Sequence, residues 1–191
     1  MGTYELIIQR RTIRRFKQEP VPEKLLSKLV NAGRLAPSGA NLQPLEFIIV
    51  NDIDLINEVF PALKWAGYIA PAGNPPEGKR PMAYVIVLIN TDIKSQNGEV
   101  DAAAAIENMI LVALEQGVGS CWVGAIDRDR LRAMFKIPKI YQIDSVLALG
   151  YPDESPELED AEDSIKYWKD EQGVLHVPKR KISDIIHYNS F

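Results

Sequence analysis

The run Ala83 to Asn90, AYVIVLIN, constrains this chain more than any other stretch. Side chains alternate between the two faces of an extended strand, so an unbroken apolar run must be covered on both sides. It predicts a central strand with further layers above and below. Shortly after it, Val100 to Gln116 reads as the longest helix, apolar almost all round, and therefore buried in a core or at a subunit interface. Ala102 to Ala105 are small enough for close backbone approach, while Glu107 and Asn108 need polar partners if they are enclosed.

The other elements arrange themselves around this pair in a chain of 191 residues, enough for one domain, 1–191, with a sizeable core. Residues 3–9 predict a short helix. A second opens at Val21-Pro22-Glu23, where proline is tolerated and glutamate favoured, and runs on an apolar stripe to about Leu35 before Pro37 stops it. Leu45 to Val50 reads as a strand and 52–60 as a helix capped by Asp52 or Asp54. Residues 61–81 hold five prolines and no periodicity. They fit a flap over a pocket, with Trp65 and Tyr68 as candidate substrate contacts, or a loop packed on a neighbouring subunit.

Gly117-Val118-Gly119 ends the long helix and leads into a strand from Ser120 to Ala125. The third glycine of a dinucleotide fingerprint would fall on Trp122, so a Rossmann fold is excluded. Gly119 and Gly124 point to a strand end that approaches something flat. Asp127 caps a short helix with Leu131, Met134 and Phe135 facing inward, closed by Pro138. Ile143 to Tyr151 is the next strand. Asp153 to Asp163 reads as a solvated acidic loop, Tyr167–Asp170 and Val174–Val177 as a small hairpin, and Ile182 to Tyr188 as a terminal turn of helix.

The formal net charge of −4 argues against general nucleic-acid binding, which needs a broad basic surface. A single cysteine, Cys121, excludes an internal disulfide and fits a reducing cytoplasm. The polar amino terminus carries no signal peptide, and no apolar run approaches the roughly 18 residues of a membrane span. Two separated histidines and one cysteine leave no metal site. No base neighbours Cys121 in sequence, so a packing role is expected for it, and surface or capping roles for His176 and His187.

The basic residues instead gather in two knots, Arg10-Arg11-Thr12-Ile13-Arg14-Arg15-Phe16 and Lys179-Arg180-Lys181. Several guanidiniums aimed at one centre, each able to form two parallel hydrogen bonds, suit a phosphate. A solvated basic face and a charged tail are the competing readings. The loop Ala36-Pro37-Ser38-Gly39-Ala40-Asn41-Leu42-Gln43-Pro44 is richer in amides and hydroxyls than a turn requires, and such groups recognise a heterocycle edge or sugar hydroxyls.

These motifs, with Gly117-Val118-Gly119-Ser120-Cys121-Trp122-Val123-Gly124, Ala148-Leu149-Gly150-Tyr151-Pro152 and Pro178-Lys179-Arg180-Lys181, occur in the order of the FMN-dependent nitroreductase family, which the chain resembles over nearly its whole length. The resemblance implies an α+β fold with a central, mostly antiparallel sheet flanked by helices. It also implies a homodimer that exchanges terminal segments and shares two flavin sites at its interface. Arg10, Arg11, Thr12 and Arg14 would then bind the phosphate and flavin edge. Pro37, Ser38 and Gly39 would reach the flavin from the partner chain, with Asn41 and Gln43 beside them. Val123 and Gly124 would offer N–H groups near flavin N5 and O4, while Arg180 and Lys181, in a C-terminal arm at 178–191, would close on the phosphate.

The implied activity is NAD(P)H-dependent reduction of a nitroaromatic, quinone or related small acceptor by a ping-pong hydride mechanism, with the chemistry carried by FMN and no side chain acting as nucleophile. Two departures stand out: Leu45 follows Gln43-Pro44 where many relatives have an aromatic, and Thr12 stands where serine is commoner. Specialised flavin chemistry, such as reductive dehalogenation or flavin breakdown, and a non-catalytic FMN-binding role are the alternatives.

Overall fold

The computed structural model describes residues 2–191. The apolar run is strand β2, Ala83–Asn90, and it lies second in a four-stranded antiparallel sheet with β1 (Leu45–Val50), β3 (Gly119–Val123) and β4 (Tyr141–Gly150). The order is β1-β2-β4-β3, which leaves β3 at an edge. Alternation sends Tyr84, Ile86 and Leu88 into one core, with Val59, Leu63, Trp65 and Leu131. Ala83, Val85 and Val87 go into the other, with Leu26, Leu29, Ile106 and Met109. Each fully buried large apolar side chain contributes about 1.5–3 kcal/mol, so both layers are needed to stabilise the sheet.

The first layer comprises α3 (Ile53–Val59), α5 (Arg128–Phe135) and the start of the proline-rich segment; the second comprises α2 (Glu23–Arg34) and α4 (Gly98–Glu115). Asp52 and Asp127 both cap as expected, accepting from the N–H groups of Asp54 and Leu55 and of Arg130. α2 crosses α4 closely at Gly33, where a Cβ would lie 3.2 Å from Met109 Cγ. The polar groups in α4 find partners: the Asn108 amide donates to the Ala32 carbonyl at 3.2 Å, and Glu107 lies 4.0 Å from Arg10.

Two expectations fail. The acidic stretch is not wholly loop: β5 (Glu157–Asp160) pairs in parallel with β7 (Leu175–Lys179), and β6 (Trp168–Lys169) pairs with β7 on its other side, as the expected hairpin. The carboxyl-terminal helix is a single 3₁₀ turn, Ile182–Asp184. Ile182, Ile185, Tyr188 and Phe191 are exposed, and so short a helix does not persist without a surface to pack on.

His176 on β7 occupies a tighter place than a surface role implies. Its ring stacks on Trp168 with centroids 4.3 Å apart, Nδ1 is 3.1 Å from Glu159 and Nε2 is 3.4 Å from Asp170. Desolvation alone would lower its pKa, but the two carboxylates outweigh that and raise it above the ordinary histidine value. A raised folded-state pKa means that the stabilisation is fully present below the unfolded value and is lost as pH rises through the folded one. Amide exchange in β5 to β7 is therefore expected to accelerate as pH rises above the ordinary histidine value of about 6.5 and through the raised folded-state one, beyond the intrinsic rate change, and His176→Gln to flatten that dependence. A pH dependence unchanged by the substitution would count against it.

Candidate cofactor site

The arginine segment follows α1 (Thr3–Gln9) and lies along the start of β3. Thr12 bridges Ser120, and the Ile13 N–H donates to the Ser120 carbonyl at 2.9 Å. Gly119 is small for this reason: a Cβ would sit 2.8 Å from Ile13 Cγ1 and 3.0 Å from Pro152 Cγ. The expected close approach at Gly119 is thus to the protein's own side chains. Phe16 anchors the far end, fully buried over Gly150, where a Cβ would meet its ring at 2.8 Å. Glu154 completes the arrangement, its Oε1 accepting from the N–H groups of Arg14 at 2.5 Å and Arg15 at 3.2 Å. Glu154 belongs to the acidic stretch expected to be a solvated loop; it lies 140 residues from Arg14, and no local pattern signals the pairing.

This backbone scaffold leaves the guanidiniums short of acceptors. Arg11 Nε and Arg14 Nε are buried with no hydrogen-bond partner. Burial and the neighbouring charge of Arg10 hold the Arg11 pKa below its ordinary value. Arg11 donates to the Arg10 carbonyl, and the Arg14 guanidinium rests 5.3 Å from the centre of the Tyr167 ring. Beside Arg10 and Arg11 opens a cleft of about 210 Å³, walled by Ile110 and Leu114 of α4 and by Gly119 and Ser120. Buried guanidinium donors without acceptors are costly, and an anion would satisfy them.

The outer edge of β3 continues the cleft's wall. Backbone polar groups alternate along a strand. Because the Ser120 carbonyl faces the arginine segment, Trp122 turns its backbone groups to the same edge and Val123 turns toward β4, while Gly124 is the first residue past the strand. Gly124 is exposed, with no heavy atom within 4 Å of a would-be Cβ. Trp122 is held by donating to Ser145 Oγ at 2.8 Å, and Ser145 donates to Asp144 at 2.6 Å. Cys121 is buried, and desolvation pushes its thiol up to about 11, so it packs rather than reacts.

The proline-rich segment starts against the end of β3, with the Lys64 N–H donating to Ala125 and the Asp127 N–H to Ala62. It returns past Lys79, whose carbonyl accepts from Phe16. Within it, Trp65 does not face a pocket: it is 7 % exposed and stacks on Phe60 in the core, because the indole buries more apolar area there than an open loop offers. Tyr68 is exposed and lies 4.9 Å from the ring of Tyr167.

Other site residues lie elsewhere. Pro37, Ser38 and Gln43 line a separate cleft of about 140 Å³ that shares no residue with the arginine cleft; Gly39 and Asn41 belong to the same loop. Arg180 and Lys181 are exposed, and Arg180 donates to the Asp184 carbonyl. Among the described residues no hydrogen bond or ion pair joins them to Arg10, Arg11 or Arg14. One chain therefore gathers Arg10, Arg11, Thr12 and Arg14 along β3, but not the loop or the second basic knot. Among the described residues no cluster of three or more His, Cys, Asp or Glu could hold a metal, and no helix is long and apolar enough to cross a membrane.

Residues 7–151 match the model of the nitroreductase family. A Methanothermobacter thermautotrophicus protein, provisionally named as an NADH dehydrogenase/NAD(P)H nitroreductase, is 30 % identical over 166 residues, covering 84 % of this chain and 82 % of its own. A crystal structure of a Parabacteroides distasonis protein with the same provisional name is 26 % identical with a TM-score of 0.72, covering 99 % of this chain and 98 % of that one. An FMN-dependent nitroreductase of Clostridium difficile shares the fold, with a TM-score of 0.73 at 24 % identity over 97 % and 98 % of the two chains. With its α+β architecture, its antiparallel sheet and these matches, the chain belongs to the nitroreductase family.

Proposed function

We propose that this protein is an FMN-dependent oxidoreductase that takes electrons from NAD(P)H and passes them to a small acceptor of the nitroaromatic or quinone type. The observation that carries this reading is the buried, acceptor-less Nε of Arg11 at the cleft beside the start of β3, with the likewise unpartnered Arg14 Nε further along the same segment. FMN fits such a donor set: its phosphate carries close to two negative charges, and its ring edge has acceptors for strand N–H groups. When bound, FMN supplies the hydride chemistry.

The chain's own residues bind and orient. Arg10, Arg11 and Thr12 hold the phosphate end. Arg14, kept in place by Glu154 on its N–H and by Tyr167 on its guanidinium, addresses the ring edge. Gly124, just past the strand, rather than Val123, offers its N–H, and an N–H there stabilises negative charge on a reduced ring. The segment 61–81, pinned just past β3 at Ala62 and Lys64 and to Phe16 at Lys79, acts as a flap that excludes water, with Tyr68 as its acceptor contact.

A second copy of the chain completes the site. Exposed Leu35 and half-buried Leu111 and Val112 line a cavity of about 350 Å³ between α1, α2 and α4, and Tyr4 and Ile7 of α1 are exposed as well. An apolar face of this kind favours association, and a homodimer would let the Pro37–Gln43 loop and Arg180–Lys181 of one chain approach the arginines of the other.

The test is an absorbance spectrum of the purified protein, supplemented with FMN and desalted, followed by NAD(P)H under anaerobic conditions. Flavin bands that bleach and return on adding an acceptor are the expected result. A protein that stays colourless after reconstitution would overturn the reading.

A further inference from the structure

The loop from Pro37 to Gln43 is held in an unfavourable backbone conformation. Ala40, Asn41 and Gln43 have φ of 52°, 56° and 51°, in the left-handed region that residues with a side chain rarely occupy. Something must over-determine that shape, and the structure shows what does. Asp101, in the first turn of α4, is 4 % exposed. Its Oδ2 accepts from the Ser38 hydroxyl at 2.8 Å and its Oδ1 from the Gly39 N–H at 3.3 Å. Ser38 Oγ in turn accepts from the Gln43 N–H at 3.0 Å. Lys94, also largely buried, places Nζ 2.8 Å from both Asp101 oxygens. Desolvation would raise the Asp101 pKa, but the bonds from Lys94, Ser38 and Gly39 together keep it below the usual carboxylate range.

We propose that Asp101, held by Lys94, is a positioning residue that sets the geometry of the Pro37–Gln43 loop through Ser38 and thereby the affinity of the protein for FMN. The proposal rests on the flavin reading above. The Asp101 oxygens are directed at Lys94 and at a loop that gathers three left-handed residues within four positions. Ser38 spends its donor on Asp101 and accepts from Gln43, so its hydroxyl acts on the shape of the loop, and the loop's backbone and amides are left to contact a ligand. Removing Lys94 would strand the Asp101 charge, so Lys94→Met should resemble Asp101→Asn, whereas Lys94→Arg keeps the charge pair.

The experiment combines FMN titration by fluorescence quenching with amide exchange of the 36–44 peptide in protein without added flavin. Asp101→Asn and Lys94→Met are each expected to raise the Kd for FMN on the order of tenfold, as loss of charge-assisted bonds implies, and to speed exchange in 36–44 alone. Lys94→Arg should stay near the unaltered protein. In the cycle with Ser38→Ala, the effect of Asp101→Asn on Kd should be largely absorbed, since both act along one path. Unchanged Kd in both Asp101→Asn and Lys94→Met, or fully additive effects of Asp101→Asn and Ser38→Ala, would overturn the proposal. Exchange that rises across the whole chain would overturn it too, by assigning Asp101 to general stability. If the unaltered protein itself fails to bind FMN, the flavin reading falls, and exchange in 36–44 still decides whether Asp101 shapes the loop.

Discussion

Truncation of Phe16 to alanine is expected to lower the unfolding free energy by about 3–5 kcal/mol, read from the denaturant midpoint at unchanged slope. Phe16 is fully buried, and its ring is seated on Gly150 so closely that no Cβ fits between them. The cavity left by its loss cannot collapse easily, because the Phe16 N–H is bound to Lys79 and the Lys17 N–H to Tyr151, which hold the backbone where it is. Phe16→Leu, which retains most of the volume, should lose far less. The same truncation should also weaken FMN binding, since Phe16 anchors one end of the segment that carries Arg10 to Arg15. A midpoint within about 1 kcal/mol of the unaltered protein would show that the segment is anchored by its other bonds alone.

Arg11→Ala is expected to act in the opposite sense on the two observables. FMN binding should weaken by on the order of 1.5–3 kcal/mol, roughly a tenfold to hundredfold rise in Kd, from loss of a charged donor to phosphate. Stability in the absence of flavin should hold or rise, because the substitution removes a buried unpartnered Nε and the repulsion between Arg11 and Arg10. Unfolding with and without FMN separates the two, since a ligand stabilises only the state that binds it. Equal destabilisation in both conditions would mean that Arg11 is structural. Affinity at the wild-type level would remove it from the site.

Much of the fold was legible because it depends on local periodicity. β2 falls on the predicted residues, Ala83 to Asn90, since a strand covered on both faces leaves an unbroken apolar signature. α4 starts at Gly98, two residues ahead of the predicted Val100, because the apolar pattern begins later than the helical backbone. The caps at Asp52 and Asp127 were readable because a carboxylate serves N–H groups only two or three residues away. Trp65 was misplaced because its proline-rich neighbours carry no periodicity from which to infer burial.

The candidate site divides along the same line. The presence of an arginine knot, an amide-rich loop and a glycine-flanked strand was determined by the sequence alone, as was the covered central strand, since each is a property of residues adjacent in the chain. Only the tertiary structure decided that the arginine segment lies along the edge of β3, that Glu154 holds its backbone from 140 residues away, and that Asp101 reaches the loop at Ser38 across 63. It also decided that the loop and the arginines occupy different clefts of one chain. Such pairings follow from how strands and helices pack, and a hydrogen bond between distant residues leaves no spacing in the sequence by which to find it.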